Sequence, residues 1–159
     1  MTRRLRLVKR EELDNVYMMG FDVWSEGQSE DEYLKSCHSS IKYQTGIWYV
    51  LADDQVLLSS LIVYNLDFNQ IGICSIATPK KYRNQGYASE LLNLLLLKLD
   101  EEFKDHTYFL YSDISSDFYL RFGFSKIDQS LQKYKGSTCM IRAKLSPEYL
   151  NANKIPDYF

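Results

Sequence analysis

The hydrophobic pattern between positions 71 and 103 changes from the period of a strand to that of a helix. Residues 71–77 are short, apolar and rich in β-branched side chains, which predicts a mostly buried strand that Pro79 ends. From Tyr87 to about Phe103 the chain has no Gly or Pro, and leucines recur at helical spacing. This predicts a long helix that is covered on more than one side. We expect the rest of the chain to assemble around this strand, turn and helix.

The remaining chain alternates strand and helix patterns. Strands are predicted at 4–8, 47–52, 55–65, 108–112, 124–127 and 139–145, and helices at 9–21, 29–41 and 116–122. Ser29 and Glu32 form a capping-box pattern at the second helix, and residues 53–54 and 67–69 suit turns. This order predicts an α+β fold, with a mixed, mostly antiparallel sheet flanked by helices. We expect one domain, residues 1–145, followed by a C-terminal tail, residues 146–159.

Composition and charge exclude several classes of protein. The chain has 159 residues, 45% hydrophobic and 25% charged, with a formal net charge of −2. These values are typical of a globular protein and argue against a nucleic-acid binder that works by bulk electrostatics. The sequence has no apolar run of membrane-span length and no signal-peptide core, so we expect a cytoplasmic protein without a membrane partner. Three distant cysteines and two histidines give no metal-ligand spacing, so we expect no metal.

The turn at residues 80–86 has the chemistry of an anion site. The first turn of a long helix leaves backbone N–H groups without acceptors and carries the positive end of the helix dipole. Gly86 allows close backbone approach, and three cations, Lys80, Lys81 and Arg83, add positive charge. The turn therefore predicts a phosphate site. The alternative interpretation is a surface loop with solvated cations and one turn glycine.

Two motifs resemble one family. The sequence Arg83-Asn84-Gln85-Gly86-Tyr87-Ala88 resembles the Arg/Gln-x-x-Gly-x-Gly/Ala signature of the GCN5-related N-acetyltransferases (GNAT). The later block at 117–124 resembles the Phe-Tyr-x-x-x-Gly-Phe element of the same family, at the separation that one strand and a short helix need. The resemblance implies an acyl-CoA N-acyltransferase-like fold and acetyl-CoA as cosubstrate.

The resemblance also implies roles for particular residues. The strand exit would face the pantetheine arm, main-chain N–H groups of the signature would hold the diphosphate, and a backbone N–H near Ile76 would stabilise the oxyanion. Ser112 stands where many relatives have a coenzyme-contacting asparagine, and Ser115 where they often have alanine. The implied coenzyme-binding residues are Ile76, Ala77, Thr78, Arg83, Asn84, Gln85, Gly86, Tyr87, Ala88 and Ser112.

Tyr119 falls on the family's tyrosine, which implies that it protonates the departing thiolate. The alternative is a packed aromatic in a chain with 13 tyrosines. The acidic, aromatic loop with Asp22, Trp24 and Glu26 corresponds to the acceptor loop of the family. These three residues are the implied substrate-binding residues, and they favour a cationic amine.

The general base stays open at this point. An alkyl amine of pKa about 10.4 is neutral in only about one part in 2,500 at pH 7, a deficit of roughly 4.6 kcal/mol. The strand at 71–77 offers no Asp or Glu. Asp113, Asp22, Glu26 or a chain of waters could remove the proton.

The functional hypothesis is an acetyl-CoA-dependent acyltransferase that moves an acetyl group by direct attack to a primary amine of a small molecule or peptide. The alternative is a catalytically inactive acyl-CoA-binding sensor or an interaction module. Apolar tail residues, among them Tyr149, Ile155 and Phe159, predict that the tail docks on the domain or on the partner subunit of a homodimer. The alternative is a loose C-terminal end.

Overall fold

The computed structural model of the chain describes residues 2–113, 115–143 and 154–159. The strands are β1 (Arg3–Leu7), β2 (Ile47–Asp53), β3 (Val56–Leu66), β4 (Gln70–Ala77), β5 (Thr107–Ser112), β6 (Ser125–Lys126) and β7 (Thr138–Arg142). The helices are α1 (Leu13–Met18), α2 (Phe21–Trp24), α3 (Glu30–Ser39), α4 (Ile41–Thr45), α5 (Tyr87–Glu102) and α6 (Asp117–Leu120), with short 3₁₀ turns at Arg10–Glu12, Lys80–Tyr82 and Gln129–Leu131.

Within the described residues, seven strands form one sheet in the order β1-β2-β3-β4-β5-β7-β6. Strand β2 is antiparallel to β1 and β3, and β7 is antiparallel to β5 and β6, whereas β4 and β5 are parallel. The predicted α+β class with a mixed, mostly antiparallel sheet is therefore confirmed.

The predicted helix at 9–21 is divided in the structure into a 3₁₀ turn, α1 and α2. The break falls at Gly20, where a Cβ atom would lie 2.0 Å from the ring of Trp24, so the chain turns where that ring packs on bare backbone. Ser29 caps α3 as predicted, since its Oγ accepts the Glu32 N–H at 3.2 Å. A second cap, Ser40, opens α4, which the pattern did not predict.

The predicted closing strands are shorter than expected. The strand predicted at 124–127 is limited to β6, and the one predicted at 139–145 is observed as β7, with positions 144 and 145 outside the described residues. Tail residues 146–153 are also outside them. The turn at 67–69 is confirmed, because Phe68 and Asn69 have φ of 61° and 56°, the left-handed values of a tight turn.

Residues 1–63 with 75–99 form one compact unit, which we call the N-terminal unit. Met19 packs there against Val50 and Ala52 of β2. Arg6 on β1 holds both carboxylate oxygens of Glu12 at 2.8 and 2.9 Å. Helix α5 buries five leucines: Leu91, Leu92, Leu95, Leu96 and Leu99. Leu97 is 64% exposed, so the helix is not covered on the further side that the leucine pattern predicted.

Residues 64–74 with 100–159 form the second compact unit, the C-terminal unit. Its core contains Phe109 of β5, Cys139 and Ile141 of β7, and Ile155 of the tail, which is 3% exposed. None of the helices in the described residues is long and apolar enough to cross a membrane. The same residues contain no cluster of three His, Cys, Asp or Glu side chains that could hold a metal ion.

Candidate active site

The loop between β4 and α5 has a left-handed backbone at two positions. Asn84 has φ of 63° and Gly86 has φ of 84°. The Gly86 carbonyl accepts the Glu90 N–H at 3.0 Å and so begins α5, whose first-turn N–H groups have no acceptor within the helix. A Cβ atom added at Gly86 would meet nothing within 4 Å. The glycine therefore leaves open space beside the start of α5, where any side chain would stand.

The Arg83 side chain braces this loop. Its Nε donates to the Thr78 carbonyl at 2.9 Å, and its two terminal nitrogens bind the Asp22 carboxylate at 2.7 and 2.8 Å. These hydrogen bonds lower the pKa of Asp22 below its usual value. Because the guanidinium is engaged in this way, the loop can offer main-chain N–H groups to an anion while the Arg83 side chain maintains its shape.

A buried serine fixes the strand exit. The Ser59 hydroxyl donates to the Ala77 carbonyl at 2.9 Å and lies 2.9 Å from the Thr78 hydroxyl. Ser59 is fully buried, and the sequence analysis missed it because a serine inside an apolar strand pattern carries no motif. The position of Thr78 before the loop therefore depends on β3.

The pairing, backbone conformation and burial of β4 change along its length. Its parallel ladder with β5 has three pairs, from Gln70–Thr107 to Gly72–Phe109, although the two strands continue to Ala77 and Ser112. Ser75 has φ of 53°, a left-handed value inside a strand. From Cys74 onward the strand is half-buried, whereas its first residues are buried. The sequence analysis missed Ser75, since a non-glycine left-handed residue has no local sequence signal.

The predicted acceptor residues lie on α2 and the turn after it. Trp24 packs on Gly20 and keeps 39% of its surface exposed. Glu26 is exposed, with φ of 50°, and Asp22 is paired with Arg83. The N-terminal unit thus contains all three of these residues and every predicted coenzyme residue except Ser112.

The C-terminal unit contains Ser112 and Tyr119. Ser112 is buried at the end of β5 and pairs with Thr138 of β7. Tyr119, on α6, is half-buried, and its ring packs against Phe118 and Phe124. Burial, with smaller contributions from Asp113 and Cys74, raises the pKa of Tyr119 to about 12. Its hydroxyl therefore remains protonated at neutral pH, as a proton donor requires.

The loop has the local features that the sequence predicts for an anion site. The open space over Gly86, the left-handed backbone at Asn84 and Gly86 and the start of a 16-residue helix supply N–H donors and positive potential at one place. Tyr82 lies against the Lys81 ammonium at 4.9 Å, which keeps one cation of the turn near the loop.

A family comparison shows that the chain is an acetyl-CoA-dependent acyltransferase. The sequence model of the acetyltransferase (GNAT) family matches residues 10–124, and the chain belongs to this family. It is thus an N-acetyltransferase whose cosubstrate is acetyl-CoA. Comparison with curated protein sequences gives no significant match.

Several solved structures share the fold. The ribosomal-protein-S18-alanine N-acetyltransferase of Escherichia coli is 16% identical, with a TM-score of 0.66 over 94% of this chain and 99% of that one. The PaiA N-acetyltransferase of Thermoplasma acidophilum, in complex with coenzyme A, is 13% identical, with a TM-score of 0.67 over 90% and 99%. A GNAT family acetyltransferase of Elizabethkingia anophelis with acetyl-CoA bound is 16% identical, with a TM-score of 0.61 over 89% and 97%.

Proposed function

We propose that this chain transfers the acetyl group of acetyl-CoA by direct attack to the primary amine of a small molecule or peptide, in the cytoplasm. The observation that carries the proposal is the loop at Gly86, where a left-handed backbone and open space lie at the start of the 16-residue helix α5. Acetyl-CoA supplies the thioester, and the chain supplies positioning, charge stabilisation and a proton donor.

Residues 83–88 bind the diphosphate through their main-chain N–H groups, and Ile76, Ala77 and Thr78 face the pantetheine arm. The short β4–β5 ladder and the left-handed Ser75 support this assignment, because they show that the regular pairing of β4 with β5 ends at Gly72 and that the β4 backbone is irregular before Ile76. A backbone N–H near Ile76 stabilises the oxyanion. Ser112 contributes from the end of β5.

Tyr119 protonates the departing thiolate. Its position on α6 supports this role, and its pKa of about 12 keeps the phenol protonated through the physiological range, although burial also makes it a weaker acid than an ordinary tyrosine. On the acceptor side, Trp24 offers an exposed aromatic surface and Glu26 an exposed carboxylate. Asp22 contributes by holding Arg83. Together, Asp22, Trp24 and Glu26 favour amines that are cationic and have an apolar body.

Thiol release from acetyl-CoA tests the proposal. The screen covers alkyl amines, polyamines, aminoglycosides, amino acids and peptide N-termini, with succinate-bearing amines as the anionic comparison. We expect at least one cationic amine to accelerate thiol release above the hydrolysis rate. Tight binding of acetyl-CoA without thiol release from any amine would instead identify an acyl-CoA sensor, and no binding would contradict both functions.

A further inference from the structure

The last six residues of the chain are anchored in the C-terminal unit. Ile155 lies in the core, and its carbonyl accepts a hydrogen bond from the Lys133 ammonium at 2.9 Å. The same ammonium binds the Asp157 carboxylate at 3.1 Å, and the Tyr111 hydroxyl donates to the Pro156 carbonyl. Residues 154–159 therefore have a defined place on β5 and β7.

This anchoring places the Tyr158 hydroxyl against the Asp113 carboxylate. The Tyr158 ring lies against Tyr111 and Tyr134, with centroids 5.3 and 6.0 Å away, and its backbone N–H donates to the Tyr134 hydroxyl at 3.1 Å. Its own hydroxyl donates to Oδ2 of Asp113 at 2.8 Å. The tail thus fixes the direction of a carboxylate that otherwise stands on an exposed bend after β5.

Asp113 lies next to the machinery of the proposed reaction. It follows Ser112 directly and precedes α6, which carries Tyr119. Burial is the main cause of the raised pKa of Tyr119. Asp113 makes a smaller electrostatic contribution in the same direction, and so does Cys74 of β4. Asp113 therefore stands between the last residue of β5 and the helix that carries the proposed proton donor, with its carboxylate held by Tyr158.

The other two carboxylates that the sequence offered as bases are less suited. Both oxygens of Asp22 accept hydrogen bonds from Arg83, so a proton would have to displace a guanidinium. Glu26 stands on an exposed turn. Among the described residues, no hydrogen bond joins its carboxylate to α2 or α3. Asp113, in contrast, is held by a neutral phenol, which orients a carboxylate without neutralising its charge.

We propose that Asp113 is the acceptor-side carboxylate of the active site, which binds the ammonium and takes its proton, and that Tyr158 is its positioning residue. This inference rests on the proposed function. The ammonium gives one proton to Asp113, which passes it to solvent. The neutral nitrogen then forms the C–N bond to the acetyl carbon, the C–S bond breaks and Tyr119 gives its proton to sulfur. The second proton of the nitrogen restores the Tyr119 phenol, so each turnover releases one proton.

Three variants of the full chain test the assignment. Asp113→Asn removes the charge, and Tyr158→Phe removes only the hydroxyl and keeps the ring contacts. Asp157→Asn is the matched control, because it removes a tail carboxylate that contacts Lys133 and leaves the Tyr158 hydroxyl in place. The probes are acetyl-CoA with tyramine or spermidine, whichever gives the higher kcat/KM, and calorimetry measures the Kd of acetyl-CoA.

We expect Asp113→Asn to lower kcat/KM for the amine by about 10²-fold or more, through a raised amine KM and a lowered kcat. Tyr158→Phe should lower kcat/KM roughly 3- to 30-fold, the loss of one hydrogen bond to a charged group. Asp157→Asn should stay within about 2-fold. The Kd of acetyl-CoA should be unchanged in all three, a separation that a mere packing defect would not give.

Each remaining outcome decides the matter. If neither amine is a substrate, hydrolysis of acetyl-CoA is measured instead, and Asp113→Asn should slow it because water loses its proton to the same base. Wild-type turnover that survives Asp113→Asn overturns this inference alone, as does a joint loss of acetyl-CoA binding. A wild-type protein that releases no thiol with amine or water overturns the proposed function together with the inference.

Discussion

The Arg83 guanidinium and the Asp22 carboxylate form a bidentate ion pair, with nitrogen–oxygen distances of 2.7 and 2.8 Å. The two residues are 61 positions apart, and one lies on α2 while the other begins the coenzyme-loop signature. Because Arg83 also binds the Thr78 carbonyl, this pair ties α2 to the exit of β4.

The ion pair should make a measurable but modest contribution to stability. Its side chains are 31% and 41% exposed, so a double-mutant cycle with Arg83→Gln and Asp22→Asn should give a coupling of about 0.3–1 kcal/mol in urea unfolding. The pKa of Asp22 is lowered, so the contribution is complete above the ordinary aspartate pKa and is lost as pH falls through the lowered value. The similarly exposed pair of Arg3 and Glu90, joined by one contact of 2.8 Å, should couple less.

The coenzyme loop should not tolerate a side chain at Gly86. Gly86→Val should raise the Kd of acetyl-CoA at least about 100-fold, since the new side chain would occupy the open space that we propose for the diphosphate. Gly27→Val is the matched control, because Gly27 has φ of 83° and equally open surroundings. Both variants should lose roughly 1–2 kcal/mol of stability from the left-handed backbone. Equal acetyl-CoA affinity in the two folded variants would contradict the assigned site.

Glu12 should govern part of the acid denaturation. Hydrogen bonds from Arg6, with a further one from the Lys9 N–H, lower the pKa of this nearly buried carboxyl from 4.5 to about 2. A lowered pKa stabilises the fold fully above pH 4.5, and this stabilisation is lost as pH falls from 4.5 towards 2. In urea unfolding, Glu12→Gln should lower the free energy of unfolding by on the order of 3 kcal/mol at pH 7. The variant should also lose less stability than the wild type between pH 4.5 and pH 2. The control is Glu11→Gln at the exposed neighbouring position, which should leave the dependence of stability on pH in this range unchanged.

Local signals made α5 and the loop before it predictable. The spacing of leucines over a few turns is enough to predict a helix. A glycine just before a helix indicates a left-handed backbone or a close approach, because glycine has no side chain. The Asp22–Arg83 pair and the Tyr158–Asp113 contact could not be predicted, since each depends on how distant segments come together. Ser75 is a third case: its left-handed backbone reflects the constraint on β4 rather than the preference of serine.

The tail should be coupled to β4 through Gly72. A Cβ atom at Gly72 would lie 2.6 Å from the Phe159 ring, which also packs against Tyr64 and Tyr111. Gly72→Ala should therefore cost about 1–3 kcal/mol of unfolding free energy, and much of that cost should disappear in a Phe159→Ala background. Gly136→Ala, where a Cβ meets nothing within 4 Å, should be neutral or slightly stabilising. An equal cost of Gly72→Ala in both backgrounds would show that Phe159 does not occupy this position.

The final prediction separates chemistry from binding at Tyr119. Tyr119→Phe keeps the ring contacts with Phe118 and Phe124 and removes only the hydroxyl that we propose as the proton donor. We expect acetyl-CoA affinity to stay within a few-fold and kcat to fall by roughly 10- to 10⁴-fold.

The pH dependence and a second hydroxyl deletion complete this test. Because burial raises the pKa of Tyr119 to about 12, the wild-type kcat should show no decline from its ionisation up to about pH 10. Tyr108→Phe is the control, since it removes a buried hydroxyl bound to Asp100 at 2.8 Å and should lower stability without lowering kcat. Joint loss of kcat and acetyl-CoA binding in Tyr119→Phe would make Tyr119 a packing residue, and an unchanged kcat would mean that water or another group protonates the thiolate.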